Sequence, residues 1–270
     1  MAINKTDKVL LDGNKKLHYS DTGTGNPVVL LHGYLESGMI WNDFAAALGR
    51  HYRVLCPDLP GHGASDVLGE VQHMEMLAES VMAILEETGE KKVVMVGHSL
   101  GGYVAMAFLE CFPERLSGLS LFHSHPLADA PQTIAKRKKE IKLIEQGRKD
   151  LIYNVNIPNA FATKNLERFS SEIEKAKQLA ANTPDQGIKA MLRGMMERSD
   201  KGPLLQQTPL PFLWILGQLD HYIPYNEIRQ QVVLPENGRL FTLENSGHMG
   251  FIEEFDQSLR ALRDFIDKAF

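Results

Sequence analysis

The sequence has 270 residues, of which 43% are hydrophobic and 23% are charged, and its formal net charge at pH 7 is -5. This composition is that of an ordinary globular protein, so it excludes a disordered chain and gives no reason to expect a membrane partner. The acidic balance disfavours nucleic acid, because nucleic-acid-binding proteins present a basic surface. We therefore expect a small-molecule partner, and the oligomeric state stays open.

The first ten residues, MAINKTDKVL, lack the apolar stretch of a secretory signal. The apolar runs are also too short to span a bilayer, so we expect a cytoplasmic protein. The two cysteines, Cys56 and Cys111, are too few and too far apart for a disulfide framework or a zinc site. We interpret both as small buried apolar residues.

Short apolar runs along the chain predict strands. Residues 9–11 and 17–19 flank Asp12-Gly13-Asn14, which indicates two strands joined by a hairpin turn. Further runs are apolar on both faces, as is typical of central strands in a parallel sheet that helices cover. These runs are 28–31, 53–56, 93–96, 119–122 and 212–216.

Helical patterns separate these runs. Apolar residues recur at three-to-four spacing from Met74 to Leu85, before Gly89 ends the segment. A second stripe of this kind runs from Ile252 to Ile266. Strand and helix alternate over most of the chain, which predicts an α/β fold with a mostly parallel, doubly wound sheet.

One stretch breaks this alternation, because residues 125–207 contain helical patterns and no strand-like run. Pro131 and Gly147 bound one predicted helix, a second covers 166–179, and a third begins after Thr183-Pro184. We predict that 125–207 forms a helical cap inserted between sheet strands. Residues 1–124 and 208–270 then form the core domain.

The most specific motif is Gly97-His98-Ser99-Leu100-Gly101, with Gly102 directly after it. It follows a predicted strand and precedes a helix-like run. A sharp strand-to-helix turn strains the backbone at the serine and requires glycine two residues away on either side. This context predicts that Ser99 is a nucleophile presented at a helix N-terminus, where developing negative charge is favoured.

A serine hydroxyl needs a base to take its proton, and that base needs a third group to orient it. His248 follows the run 240–243 and precedes the last helix, so it is the predicted base. Asp220 leaves the end of the run 212–216 and is the predicted acid. Asp129 is the nearest alternative one strand earlier, but it lies inside the predicted cap. The order Ser, Asp, His is the one expected of this kind of fold.

The oxyanion of a tetrahedral intermediate needs backbone N–H donors. Leu100, directly after the nucleophile, supplies one amide. We assign the second to Tyr34 in His32-Gly33-Tyr34, which follows the run 28–31. Gly33 allows the backbone to approach closely, and the Tyr34 ring is expected at the pocket wall.

The whole chain resembles the α/β-hydrolase superfamily, in the branch of small bacterial esterases, lactonases and carbon–carbon bond hydrolases. The resemblance rests on His32-Gly33-Tyr34, on 58–65, on 97–102, on 217–220 and on Gly247-His248, in family order. The resemblance implies a cap over the active site and a structural role for the loop 58–65. Members that open epoxides or remove halogen carry aspartate at the nucleophile position, so Ser99 favours acyl transfer.

The expected contacts with substrate are made by residues around the motifs and in the predicted cap. They are His32, Tyr34, His98, His125, Met191 and Met195. His123 and His125 alternate at a strand end, and the hypothesis is that one of them touches the substrate. They lack a third ligand at metal-binding spacing. For Met191 and Met195, packing inside the cap is an equal alternative. The basic run 136–139 is expected to be mostly solvated.

The sequence therefore predicts a serine hydrolase that cleaves a small, largely apolar ester, thioester or lactone through an acyl-enzyme. The reaction requires no metal and no organic cofactor. The alternatives on the same triad are carbon–carbon bond hydrolysis, acyl transfer and perhydrolysis. A ligand receptor with slow turnover is the alternative from another class of protein.

Overall fold

The computed structural model describes residues 5–12 and 15–270. Eight strands form one sheet in the order β1-β2-β4-β3-β5-β6-β7-β8. The strands are β1 (Lys5–Asp12), β2 (Lys15–Gly23), β3 (Pro27–Leu31), β4 (Arg53–Pro57), β5 (Val93–His98), β6 (Leu116–Phe122), β7 (Phe212–Gly217) and β8 (Gly238–Leu243). β2 pairs antiparallel with β1 and β4, and the other neighbours pair parallel. The predicted doubly wound, mostly parallel sheet is confirmed.

The predicted hairpin strands pair in the register Asp12↔Lys15 through Lys5↔Thr22. The turn residues Gly13 and Asn14 lie outside the described residues. The central strands β3 and β5 are buried at every position, so both faces of the sheet are covered. This is why their sequences are continuously apolar and do not alternate.

Helices from both parts of the chain that flank the segment between β6 and β7 cover the sheet. Outside the segment between β6 and β7 they are α1 (Asn42–Leu48), α2 (Met74–Glu87), α3 (Leu100–Cys111), α9 (Tyr225–Gln231), α10 (Gly250–Glu253) and α11 (Phe255–Ala269). α1 packs with α11, and α2 packs with α3. The predicted stripe from Ile252 to Ile266 is split, because the backbone at Glu254 (φ -129°, ψ 55°) leaves the helical region.

The segment between β6 and β7 is wholly helical in its regular structure. It contains α4 (Pro131–Glu145), α5 (Asp150–Asn159), α6 (Ser170–Asn182), α7 (Asp185–Glu197) and α8 (Gly202–Gln207). Three of these correspond to the predicted helices, whereas α5 and α8 were not predicted. Pro203 lies in the first turn of α8, where its missing N–H is not needed by the helix, so this proline is compatible with α8.

The loop 58–65 is held together by one buried carboxylate. Asp58 accepts hydrogen bonds from the backbone N–H groups of Gly38 (2.7 Å) and Ala64 (2.9 Å), and its Oδ2 lies 2.7 Å from His18 Nδ1. These contacts join the loop to β2 and to the turn after β3. They support a structural role for this loop.

Cys56 is buried in β4 as expected, but the expectation for Cys111 is wrong. Cys111 is the last residue of α3, where the helix emerges from the core, and its side chain is exposed. In the described residues, no helix is both long enough and apolar enough to cross a membrane.

Candidate active site

The turn between β5 and α3 holds Ser99 in a strained backbone conformation. Ser99 has φ 50° and ψ -116°, between a strand that ends at His98 and a helix that begins at Leu100. Such values are costly for a residue with a Cβ, so the surroundings must enforce them. A Cβ at Gly97 would collide with the Gly101 carbonyl, which explains the glycine there. The geometry matches the strand–turn–helix arrangement that the motif predicts.

Asp220 and His248 lie on loops that follow β7 and β8. His248 Nδ1 lies 2.7 Å from Asp220 Oδ2, and Asp220 Oδ1 accepts the N–H groups of Tyr222 (2.8 Å) and Ile223 (3.0 Å). Burial alone would raise the pKa of Asp220. The His248 charge and hydrogen bonds from His123 and His248 outweigh it and hold the pKa well below its usual range. Asp220 is therefore a carboxylate that accepts the Nδ1 proton of His248, which leaves Nε2 free to act as a base.

Ser99 and His248 line the same cavity, which has a volume of about 320 Å³. In the described part of the chain, no hydrogen bond joins the Ser99 hydroxyl to His248; such bonds often tighten only when substrate binds. Much of the cavity wall is apolar. Its apolar side chains include Leu35, Leu127, Ile157, Phe161, Met195, Ile223 and Met249.

The amides of Tyr34 and Leu100 have no hydrogen-bond acceptor among the residues that the structure describes. Leu100 is the first residue of α3, so its N–H has no partner within the helix. Tyr34 precedes Leu35, whose φ of 64° is unusual for a residue with a branched side chain. Free backbone donors of this kind are what stabilisation of an oxyanion requires.

His98 does not line the cavity, which corrects the expectation that it contacts substrate. Its ring is fully buried, with Nδ1 3.1 Å from Glu36 Oε2 and Nε2 2.9 Å from the His248 carbonyl. Glu36 also accepts the Gly33 N–H at 2.6 Å. Because a carboxylate and a carbonyl can only accept, both ring nitrogens of His98 must carry protons. His98 is thus an imidazolium that links the Tyr34 loop to the His248 backbone.

The pKa values agree with this assignment. Burial would lower the pKa of His98, but the neighbouring Glu36 carboxylate outweighs burial and raises it. Burial would likewise raise the pKa of Glu36, and the His98 charge and hydrogen bonds lower it instead. Glu36 was not predicted, because nothing in the sequence distinguishes it from an exposed loop glutamate.

His32 is also buried away from the cavity, which corrects its predicted contact with substrate. Its Nδ1 lies 2.8 Å from the Gly33 carbonyl, and its Nε2 accepts the Leu59 N–H at 2.9 Å. Both nitrogens therefore have partners in the backbone. His32 fixes the loop after β3 against the loop after β4.

His123 is fully buried behind Asp220, so the hypothesis of substrate contact fails for it. Its Nδ1 lies 3.4 Å from Asp220 Oδ2, and its Nε2 accepts the Gly250 N–H at 3.1 Å. Burial lowers the pKa of His123 to about 4, so the ring is neutral. His123, Asp220 and His248 have metal-ligand atoms within 4.8 Å of one another. These atoms already bond to one another or to backbone N–H groups, so the cluster does not fit a metal.

His125, Tyr34 and Met195 line the cavity as predicted, whereas Met191 does not. Met191 is fully buried within the helical segment, which supports the alternative that it packs inside the cap. His125 lies 3.4 Å from the Tyr103 hydroxyl, and burial lowers its pKa to about 3. It therefore offers a neutral imidazole to the cavity.

Two charged residues of the helical segment bear on the site, and the expectation for one of them, Arg137, needs correction. Arg137 belongs to the basic run 136–139, yet its side chain is only 13% exposed and it lines the cavity. Asp129, the alternative acid, is bound by Arg137 and Arg198 and not by His248. Asp220 holds the place that Asp129 would need.

Glu253 joins the His248 loop to the helical segment, and no motif or spacing in the sequence indicates this role. Its Oε1 accepts hydrogen bonds from Ala162 N and Asn165 Nδ2, and its Oε2 accepts Gly247 N, each at 2.8 Å. His248 N also donates to the carbonyl of residue 160 at 2.7 Å. The position of His248 therefore depends on contacts with the helical segment.

Comparison with known proteins finds similarity along most of the chain. The sequence pattern of the family described as α/β hydrolase fold matches residues 26–255. A pimeloyl-[acyl-carrier protein] methyl ester esterase of Aliivibrio fischeri (strain MJ11) is 28% identical over 93% of this chain and 98% of its own. A 2-hydroxy-6-oxononadienedioate/2-hydroxy-6-oxononatrienedioate hydrolase of Burkholderia vietnamiensis is 27% identical over 98% and 96%.

A solved structure is also similar to this protein along most of the chain. A thermophilic esterase from Thermogutta terrifontis, with malate bound, superposes with a TM-score of 0.91 at 28% identity. The superposition covers 98% of this chain and 99% of the esterase.

Proposed function

Because the chain belongs to the α/β-hydrolase family and is an enzyme of the ester-hydrolase kind, we propose that Ser99, His248 and Asp220 form its catalytic triad. The proposed substrate is a small, largely apolar ester, thioester or lactone. The hydrogen bond of 2.7 Å between His248 and Asp220, with Ser99 in the same cavity, is the observation that supports this most strongly.

In the proposed acylation, Ser99 Oγ attacks the carbonyl carbon while His248 Nε2 takes the hydroxyl proton. Asp220 holds the imidazole in the tautomer that leaves Nε2 free and stabilises the imidazolium that forms. The negative charge on the carbonyl oxygen is accepted by the amides of Tyr34 and Leu100. His248 then gives its proton to the leaving alcohol, thiol or hydroxyl.

In the proposed deacylation, a water molecule takes the place of the leaving group. His248 removes its proton, the resulting hydroxide attacks the acyl carbon, and the acid is released as Ser99 regains its proton. Every step uses only groups of the chain and water.

We further propose that residues 125–207 act as a cap over the core formed by 1–124 and 208–270. Residues on both sides of this division line the cavity with Ser99, which supports the division. His125 and Met195 from the cap, with Tyr34 from the core, are the proposed contacts with substrate.

The test is hydrolysis of p-nitrophenyl esters of increasing acyl length by the wild type, by Ser99→Ala and by Ser171→Ala. Ser171 is an exposed residue of α6, so its variant controls for the substitution itself. We expect kcat/KM to fall by about a thousandfold or more in Ser99→Ala only. Equal activity of the two variants, or no turnover of any ester by folded wild type, would overturn the proposal.

Carbon–carbon bond hydrolysis is a second candidate. The Burkholderia vietnamiensis relative, whose alignment covers 98% of this chain, is named a hydrolase of 2-hydroxy-6-oxononadienedioate, which is a carbon–carbon bond substrate and not an ester. Turnover of 2-hydroxy-6-oxononadienedioate with no turnover of esters would favour it. Ester turnover without turnover of that compound would favour the first proposal.

A further inference from the structure

Arg137 presents an unused edge of its guanidinium to the cavity of Ser99. The residue lies on α4 and lines the cavity. Its Nε and Nη2 donate to Asp129 at 2.6 and 3.2 Å, whereas its Nη1 has no hydrogen-bond partner in the described part of the chain. A guanidinium has five donors in a fixed fork, so an unbonded edge inside a cavity can still bind a carboxylate.

Asp129 cannot neutralise Arg137 by itself, because it also serves a second guanidinium. Arg198 Nη1 donates to Asp129 Oδ1 at 2.6 Å, and the Arg198 side chain is only 3% exposed. Arg198 Nη2 is buried and has no partner among the described residues. Arg198 also stacks on Tyr103, which lines the cavity, with 3.7 Å between Cζ and the ring centre. Two buried guanidiniums thus share one carboxylate, which favours an additional anion.

The other charged groups around this end of the cavity do not satisfy Arg137. Glu140 accepts hydrogen bonds from the Tyr34 hydroxyl (3.2 Å) and from Asn156 Nδ2 (3.0 Å). Glu227 lines the cavity but is exposed. Lys136 also lines it, with its ammonium 4.8 Å from the centre of the Tyr222 ring and no salt bridge within the described residues. Arg137 and Lys136 are therefore the cations available to a ligand.

We propose that Arg137, assisted by Lys136, binds a carboxylate on the acyl chain of the substrate. This proposal rests on the proposed serine-hydrolase function. Apolar side chains that line the same cavity as Ser99 and Arg137 hold the acyl chain, and the free guanidinium edge holds its charged end. The substrate class is then the half-esters of dicarboxylic acids, which have an apolar body and a single charge. A contact with the acyl part is useful in both half-reactions, whereas a contact with the alcohol is lost when it leaves.

The test compares monomethyl esters of succinic, glutaric and adipic acids with neutral methyl esters of the same chain length. We expect wild type to hydrolyse one or more of the half-esters with a kcat/KM at least tenfold above its neutral partner. We expect this preference to fall at least tenfold in Arg137→Gln and about threefold in Lys136→Gln. Lys139→Gln, which removes one exposed charge from the same helix outside the cavity, keeps the preference of wild type.

Two further measurements keep the proposal falsifiable. An acetate ester of a hydroxy acid carries its carboxylate on the alcohol, and an equal preference for it would overturn the assignment to the acyl side. Calorimetric titration of wild type and of the folded Arg137→Gln, Lys136→Gln and Lys139→Gln variants with glutarate and adipate measures binding without any turnover. We expect weaker binding in Lys136→Gln and unchanged binding in Lys139→Gln.

The two proposals fail in different ways. Absence of Ser99-dependent hydrolysis of every ester, with dicarboxylate binding that depends on Arg137 and Lys136, would overturn the reaction and keep the carboxylate site. Hydrolysis of half-esters and neutral esters at equal rates, or dicarboxylate binding that neither substitution weakens, would overturn the carboxylate site and keep the reaction.

Discussion

At the scale of single residues, His98 has two acceptors and no donor around its ring among the described residues, so its charge follows from geometry. The pair that it makes with Glu36 is buried and lies between the Tyr34 loop and His248. Removing one partner of a buried ion pair leaves an uncompensated charge, which typically costs several kcal/mol.

We expect Glu36→Gln to lower the free energy of unfolding by about 2–4 kcal/mol near neutral pH. Denaturant titration measures this, with the exposed Glu79→Gln on α2 as the matched control. A loss no larger than that of the control would mean that the pair does not stabilise the fold.

The pH dependence of this loss follows from the two pKa directions. His98 has a raised pKa, so its contribution is complete below the unfolded value of 6.5 and is lost as pH rises through the folded value. Glu36 has a lowered pKa, so its contribution is present above 4.5 and is lost as pH falls through the folded value. The difference between wild type and Glu36→Gln is therefore expected to be largest between pH 4.5 and 6.5 and to shrink at alkaline pH.

Asp220→Asn retains the shape of the acid and removes its charge. The amide can donate to His248 Nδ1, which would put the ring proton on Nε2 and remove the base. We expect kcat on an ester to fall by roughly 10³–10⁴-fold, with a smaller change in KM. Asp264→Asn, an exposed change on α11, serves as the control. Retention of more than a tenth of the activity would argue against Asp220 as the acid.

At the scale of elements, α7 docks on the core without side chains between the two backbones. A Cβ at Gly194 would collide with the Gln72 carbonyl, and one at Gly187 would collide with the Gly61 carbonyl. Gln72 N also donates to the Ala190 carbonyl at 3.0 Å. In a helix, alanine is normally more stable than glycine by about 1 kcal/mol. A loss of stability on replacing one of these glycines by alanine would therefore report the close backbone contact.

We expect Gly194→Ala to destabilise the protein by about 2–4 kcal/mol, because the helix must move away from the core. Gly69→Ala is the control, since a Cβ there meets only ordinary contacts, at 3.5 Å from the Val71 carbonyl. Thermal unfolding of the two variants measures the difference. A Gly194→Ala protein as stable as wild type would show that the contact is loose.

The elements that could be predicted from the sequence are those whose own residues carry the signal. The continuous apolar run of β5 marks a strand that is buried on both faces, and the stripe in α2 marks one buried helical face. α5 was missed because only Ile152 and Ile157 are buried and Pro158 lies within it. α5 packs against α6, and this tertiary contact stabilises a helix that its own sequence pattern does not predict.

The same distinction applies to the site. Ser99, Asp220 and His248 are marked by their places directly after predicted strands. Glu36 can be buried because it pairs with His98, which is 62 residues away in the sequence. Glu253 can be buried because it accepts a hydrogen bond from Ala162 N, which is 91 residues away. Arg137 lies in a run of lysines that gives no sign of its contact with Asp129. A charged side chain in the interior depends on distant partners, and a single sequence does not display them.

At the scale of the whole molecule, hydrogen bonds of backbone and side-chain groups tie residues 125–207 to the rest of the chain at several separated points. Two of them are at Ala190 and at the carbonyl of residue 160. We expect the protein to unfold in one transition for this reason. Trp41 and Trp214 are both buried outside the helical segment, so their fluorescence reports on the core.

Far-ultraviolet circular dichroism reports on all helices, including α4 to α8. We expect its urea midpoint to coincide with that of tryptophan fluorescence within error. Loss of helical signal at a lower urea concentration than loss of fluorescence would show that the segment unfolds by itself.

The hydrogen bond from His248 N to the carbonyl of residue 160 also bears on how molecules reach Ser99. A swing of the entire helical segment would break this bond and displace the base each time the site opened. This bond therefore favours entry past exposed side chains that line the cavity, such as Glu227 and Gln231, over movement of the whole segment. The opening between these side chains then limits the size of a reactant, together with the cavity of about 320 Å³.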